Sequence, residues 1–238
     1  MKISVSETIK AKNPKLYKNL PKWIIRFLER IIHQDEINEV LEKYGHLPSI
    51  DFAQEYFKYL RATVNVIHEE NIPKRGRYII ACNHPLGGLD GVALISLCGQ
   101  YRRDIKFPVN DLLMYVEPLR EVFIPINKHG KTGTDAVTQF NQAFESDDLI
   151  LYFPAGLCSR KHNGIIRDPV WKKTIITKAK QTKRDIIPVF FDGRKKPVTF
   201  KGMSEDVSYS FTCVELNSEA WDNILNIARL KQPILYRS

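Results

Sequence analysis

Apolar and polar positions recur with two different periods along the chain, and the switches between those periods mark out its elements. Over residues 15–33 the apolar set Leu20, Trp23, Ile24, Phe27, Leu28, Ile31 and Ile32 returns every three or four positions, with Lys18, Lys22, Arg26, Glu29, Arg30 and His33 largely opposite. That spacing predicts one amphipathic helix with a basic polar face. Its apolar face has two accounts: packing onto the domain core, or seating Trp23 and Phe27 in a lipid interface while Lys22, Arg26 and Arg30 meet anionic headgroups. Asp35 to Tyr44 and Phe52 to Arg61 predict two further helices. Between them, Gly45 ends one helix and Ser49 is placed to cap the next. Together these make a helical section over residues 1–62.

From Thr63 to His68 the period drops to two, as a strand requires, and residues 71–77 turn the chain into the apolar run Tyr78-Ile79-Ile80-Ala81. Val92 to Leu97 reads as a helix, Ile105 to Val109 and Val122 to Ile126 as strands, and Asp111 to Leu119 between them as helical. Thr134 to Phe144 predicts a helix, Leu149 to Phe153 a buried strand, Pro169 to Lys180 a basic helix and Ile186 to Phe191 a last strand. Strands and helices in alternation predict an α/β core over residues 63–193, a single mixed, mainly parallel sheet flanked by helices, with sites at strand ends. Past Gly193 the pattern weakens to a hairpin around Lys201-Gly202 and Ser208 to Val214 and a short helix over Trp221 to Leu230, an extension (194–238) with no assigned chemistry.

A length of 238 residues with 43% hydrophobic content supports one sizeable core and argues against disorder. The formal net charge of +9 asks for an anionic partner, whether nucleic acid, lipid headgroup or phosphorylated co-substrate, and does not choose among them. Cys82, Cys98, Cys158 and Cys213 are widely spaced, which argues against a zinc knuckle or dithiol motif and fits a reducing compartment. No apolar run approaches the roughly 18–20 residues that span a bilayer, and the first residues lack the apolar core of a signal peptide. The expectation is a cytoplasmic protein whose membrane contact is peripheral, on the inner face.

The stretch with the clearest chemistry is Cys82-Asn83-His84-Pro85-Leu86-Gly87-Gly88-Leu89-Asp90-Gly91, an exposed turn between strand and helix. His84 has the unperturbed pKa of a base that works near neutrality, and Asp90 is near enough in sequence to hold its tautomer. The competing account is structural: Asp90 as a helix N-cap, with Pro85, Gly87 and Gly88 as a tight turn. Three other strand ends carry similar turns. Phe153-Pro154-Ala155-Gly156-Leu157-Cys158-Ser159-Arg160-Lys161 offers backbone N–H groups and two cations to an anion, or is a solvated loop. The others are Phe123-Ile124-Pro125-Ile126-Asn127-Lys128-His129-Gly130 and Ile187-Pro188-Val189-Phe190-Phe191-Asp192-Gly193.

In this order the four turns resemble the four blocks of the glycerolipid acyltransferase family, of which the 1-acylglycerol-3-phosphate acyltransferases are best known. The resemblance is greatest to the hemolysin-like branch that includes ornithine-lipid O-acyltransferases. It implies that His84 is a general base and Asp90 its partner, that the co-substrate is an acyl thioester on coenzyme A or acyl carrier protein, and that no bound cofactor or metal takes part. It further implies a lyso-lipid acceptor, an anionic membrane surface and no nucleic acid. Gly87 and Gly88 become candidates for stabilising the oxyanion; Asn127, Lys128, Gly156, Ser159 and Arg160 become candidates for binding substrate. Direct attack leaves Cys82 and Cys158 without a role.

Three departures from the common pattern stand out. Five residues rather than four separate His84 from Asp90, Ala155 stands where the third block usually has Glu, and Asn127-Lys128 stands near the usual Arg of the second. Those last two blocks are associated with the glycerol phosphate acceptor, so an aminolipid bearing a hydroxy-acyl chain fits at least as well. A P-loop around Gly130-Lys131-Thr132 fails because Pro125 occupies the position of its first Gly. A non-catalytic basic protein on membrane or nucleic acid lacks a recognition motif, and a metal site at His84 and Asp90 lacks a third ligand beyond Cys158 or His162.

Overall fold

A computed structural model describes residues 2–31, 34–60, 62–85, 87–126, 134–162, 165–194 and 208–213. The centre of the sheet is β2 (Tyr78–Cys82), in which Ile79, Ile80, Ala81 and Cys82 are all fully buried. On either side run β8 (Asp185–Arg194) and β5 (Leu149–Tyr152), then β3 (Ile105–Asn110) and β4 (Phe123–Ile126) beyond β5, all five parallel. Near-continuous apolar strands are what a sheet covered on both faces demands. Beyond β8 lie β9 (Ser208–Cys213), antiparallel to it, and β1 (Thr63–Ile67), parallel to β9. The seven-stranded order is therefore β1-β9-β8-β2-β5-β3-β4, mixed and mainly parallel as the alternation predicts. The sheet runs past residue 193, because β9 lies between the first strand and the rest. The predicted helix over Trp221 to Leu230 lies outside the described residues.

Alternate residues of β2 face two different cores. Ile80 and Cys82 join α5 (Ser49–Tyr59) and α6 (Gly88–Cys98), whereas Ile79 and Ala81 join α7 (Thr134–Glu145) and α8 (Thr174–Thr182). Helix α6 is apolar all round because α5 covers the side that the sheet leaves. Their contact is close at Gly99, where a Cβ would fall 2.2 Å from Ile50 Cγ2.

The N-terminal region departs from the single helix expected over residues 15–33. There are two, α2 (Pro14–Asn19) and α3 (Lys22–Ile31), following α1 (Val5–Lys12). Pro21 separates them, since it has no N–H to continue the ladder. Helix α3 packs against α1 and α4 (Gln34–Tyr44) and buries Ile25, while Trp23 and Phe27 stay 68% and 56% exposed beside Lys22, Arg26 and Arg30. Ser49 is not a cap: Pro48 holds that position, and the buried Ser49 hydroxyl donates to the Pro118 carbonyl at 2.6 Å. The Asp111 to Leu119 segment forms two 3₁₀ turns instead of one helix. The basic helix expected from Pro169 begins only at Thr174, because the residues before it are engaged elsewhere: the Trp171 indole N–H donates to Asp168 and the Lys172 N–H to the Pro154 carbonyl, both at 3.0 Å. A short hairpin, β6 (Arg160–His162) and β7 (Ile165–Arg167), stands apart from the sheet.

Candidate active site

The chain leaves β2 at Asn83, whose side chain staples this exit to the neighbouring strand. Its Nδ2 donates to the Phe191 carbonyl at 3.0 Å, and its Oδ1 accepts the Phe191 N–H at 2.6 Å. His84 follows, and the turn then reverses through Gly87 at φ +82° and ψ −139°, a conformation essentially reserved for glycine. Because α6 starts at Gly88, Asp90 falls inside its first turn rather than at its cap. The Asp90 carboxylate is fully buried; Oδ2 accepts the Gly87 N–H at 3.1 Å and lies 2.9 Å from His84 Nδ1. One oxygen of Asp90 thus meets the geometry of both accounts: the carboxylate that closes the helix start also faces the imidazole. It also accommodates five intervening residues.

The His84 ring stacks on Phe153, with centroids 4.0 Å apart and planes 14° from parallel. Phe153 follows β5, the parallel neighbour of β2, so adjacent strand ends bring the two rings together. Phe107 meets Phe153 edge-on at 5.3 Å and braces it from behind. With Nδ1 directed at Asp90, Nε2 is the ring's remaining polar atom. A second polar group, the thiol of exposed Cys158, hydrogen-bonds the imidazole. Burial pushes the His84 pKa down, but the bonds to Asp90 and Cys158 outweigh it and raise the value to about 9. The same bond to His84 pulls the Cys158 thiol below its ordinary range. A pKa of about 9 favours the protonated imidazole at neutral pH.

The remaining expected residues fall into distinct places. The Gly87 N–H is committed to Asp90, whereas Gly88 is exposed, with nothing within 4 Å of where a Cβ would stand. Gly88 opens α6, where first-turn N–H groups have no partner within the helix. Gly156 turns the chain at φ +66° after β5. Ser159 donates its N–H to the His84 carbonyl at 2.7 Å and its hydroxyl to Asp168 Oδ1 at 2.5 Å. Arg160 is exposed at the start of β6 and pairs in register with Arg167. Asn127 and Lys128, like Gly130-Lys131-Thr132, lie outside the described residues. Among the described residues no group of three or more His, Cys, Asp or Glu is placed to hold a metal ion. The pattern along the chain gives no signal for Asp168, which bonds the His84 backbone from 84 positions away.

A family model described as "Acyltransferase" matches residues 7–212. The lyso-glycine lipid O-acyltransferase of Bacteroides thetaiotaomicron is 47% identical over 193 residues, covering 81% of this chain and 71% of that protein. The protein of the same name from Phocaeicola vulgatus is 41% identical over 193 residues, 81% and 69% of the two chains. The crystal structure of the 1-acyl-sn-glycerophosphate acyltransferase PlsC from Thermotoga maritima has the same fold, with a TM-score of 0.52 at 17% identity, over 87% of this chain and 86% of that one.

Proposed function

The chain belongs to the acyltransferase family, and on that premise we propose that it moves a fatty acyl group from an acyl thioester to the hydroxyl of a lyso-lipid. The observation that carries this reading is the Asp90–His84 pair at the exit of β2, buried on the carboxylate side and open at the imidazole. The acceptor hydroxyl approaches Nε2, the ring nitrogen not directed at Asp90, and the imidazole, once neutral, accepts its proton as the oxygen attacks the thioester carbonyl. Asp90 stabilises the imidazolium so formed. The tetrahedral oxyanion lies against first-turn N–H groups of α6, with Gly88 its foremost donor. Collapse breaks the C–S bond, and the departing thiolate of coenzyme A or acyl carrier protein takes the proton from Nε2. Product ester and free thiol leave with atoms and charge balanced, and no enzyme nucleophile is consumed.

The names of the two relatives support a lyso-glycine lipid as acceptor here too. Ala155, buried where the common glycerolipid pattern has a carboxylate, fits an acceptor other than glycerol phosphate. His84→Ala and Asp90→Asn, each folded, are expected to lose about a thousandfold or more of transfer from acyl-coenzyme A or acyl carrier protein to lyso-glycine lipid. Undiminished transfer by folded His84→Ala overturns the mechanism.

The exposed Trp23 and Phe27, flanked by Lys22, Arg26 and Arg30, further support peripheral seating of α3 on an anionic membrane, on the cytoplasmic side where thioester donors are found. No helix among the described residues is long and apolar enough to cross a membrane. Co-sedimentation with anionic vesicles should weaken markedly for Trp23→Ala/Phe27→Ala; equal binding by the double variant removes α3 from the interface.

A further inference from the structure

Asp90 fixes only one end of the catalytic imidazole. The other end is the backbone of residue 84, which lies past the last hydrogen bond of β2 and before Pro85, a residue with no N–H of its own. No ladder holds that backbone. Its N–H instead donates to Asp168 Oδ1 at 3.1 Å, and its carbonyl accepts the Ser159 N–H at 2.7 Å. The two holding residues are themselves joined, Ser159 Oγ to Asp168 Oδ1 at 2.5 Å, and they flank the first pair of the small hairpin, Arg160 opposite Arg167. The second oxygen of Asp168 accepts Trp171 Nε1–H at 3.0 Å. One carboxylate thus gathers a main-chain N–H, a hydroxyl and an indole N–H, bonds that are stronger to a charged acceptor than to a neutral one.

We propose that Asp168 is a positioning residue for His84: with Ser159 and Trp171 it clamps the peptide unit of the base, as Asp90 clamps its ring. The proposal rests on His84 being the base. The two carboxylates divide the work. Asp90 touches the ring and sets its tautomer; Asp168 touches His84 only at its main chain and sets where the ring begins. A base displaced by about 1 Å loses roughly a hundredfold in rate without losing its proton affinity. Losing Asp168 should therefore lower kcat while leaving the KM for donor and acceptor, and the pH of the acid limb, where they were. The hairpin, otherwise separate from the sheet, is joined to the catalytic turn through this clamp.

The test compares Asp168→Ala, Asp168→Asn and Ser159→Ala in the full chain, with acyl-coenzyme A and lyso-glycine lipid as substrates. Asp168→Ala is expected to lower kcat about a hundredfold, with both KM values within about twofold of wild type because no substrate contact is removed. Asp168→Asn keeps one carbonyl oxygen for the His84 N–H and should recover part of the loss. In a His84→Ala background, Asp168→Ala should cost nothing further, since there is no base left to position. A raised KM makes Asp168 a substrate ligand and overturns the proposal, as does full kcat in either Asp168 variant. If Asp168→Ala fails to fold, Asp168→Asn and Ser159→Ala carry the same kcat-against-KM test. Full activity of His84→Ala sinks the underlying mechanism instead, so the two failures are told apart.

Discussion

At the N-terminal ends of the strands, Arg184 is 2% exposed and spends its guanidinium on the carbonyls of Tyr78, Ala143, Phe144, Ser146 and Asp148. Arg102, 7% exposed, does the same with Gly76 and Asp147 while gripping Asp104. At the C-terminal ends, Asp90 is buried as deeply, yet its charge ends on an ionisable ring that reaches solvent. A buried charge whose bonds run to main-chain carbonyls fastens loops together, because those partners have no second state. One whose bond ends on His84 passes its influence to a group that gains and loses a proton. Burial alone does not separate a fastener from a candidate catalytic group; the nature of the partner does.

That distinction makes opposite predictions for the two ends. Arg184→Met leaves several carbonyls without their donor, and the expected loss is about 3–4 kcal/mol of folding stability. For a chain of this length that lowers the melting temperature by roughly 10 °C. Below the transition the folded variant should transfer acyl groups at the wild-type rate, the reverse of Asp90→Asn. Thermal unfolding beside a rate measurement at low temperature checks both halves. A fall in kcat with melting unchanged would join the two ends and break the comparison.

The end that carries the candidate site is the more legible one in the sequence, for a physical reason. His84 and Asp90 are near each other along the chain, and their meeting needs only a glycine turn and one helical turn, both of which leave marks in the residue pattern. Strands β2, β5 and β8 are likewise visible as short apolar runs. The fasteners are not visible this way, because the partners of Arg184 are carbonyls, which every residue possesses. Asp168 escapes for a related reason: its partner at residue 84 is a main-chain N–H brought close by the fold. Local rules failed where tertiary contacts outweighed them. Ser49 looks like a cap until the Pro118 carbonyl is placed beside it, and the helix expected over 169–180 starts late because its first residues face the Asp168 network. The apolar stripe over 15–33 continues across Pro21, but the missing N–H of that proline breaks the helix there.

The smallest expected effect probes the open side of the catalytic ring. As the proposed base, His84 can take a proton only in its neutral form, so a pKa raised to about 9 places the acid limb of kcat/KM on the alkaline side of neutrality. Burial works against that elevation, and two groups produce it: Asp90 at Nδ1 and Cys158 on the remaining polar face. Removing Cys158 withdraws one raising influence and leaves the other, so the limb in Cys158→Ala should move toward lower pH. At neutral pH a larger fraction of this variant holds a neutral imidazole, and its kcat/KM should exceed that of wild type severalfold. Well above the limb both proteins hold the neutral base and the advantage should vanish. Cys158→Ser keeps a hydrogen-bonding group that is far less acidic than a thiol, and its limb should fall between the two. A pH–rate profile of the three proteins decides the point: a limb that stays fixed across the series means that Cys158 does not hold the ring in solution, and the control of this end of the sheet then belongs to Asp90 alone.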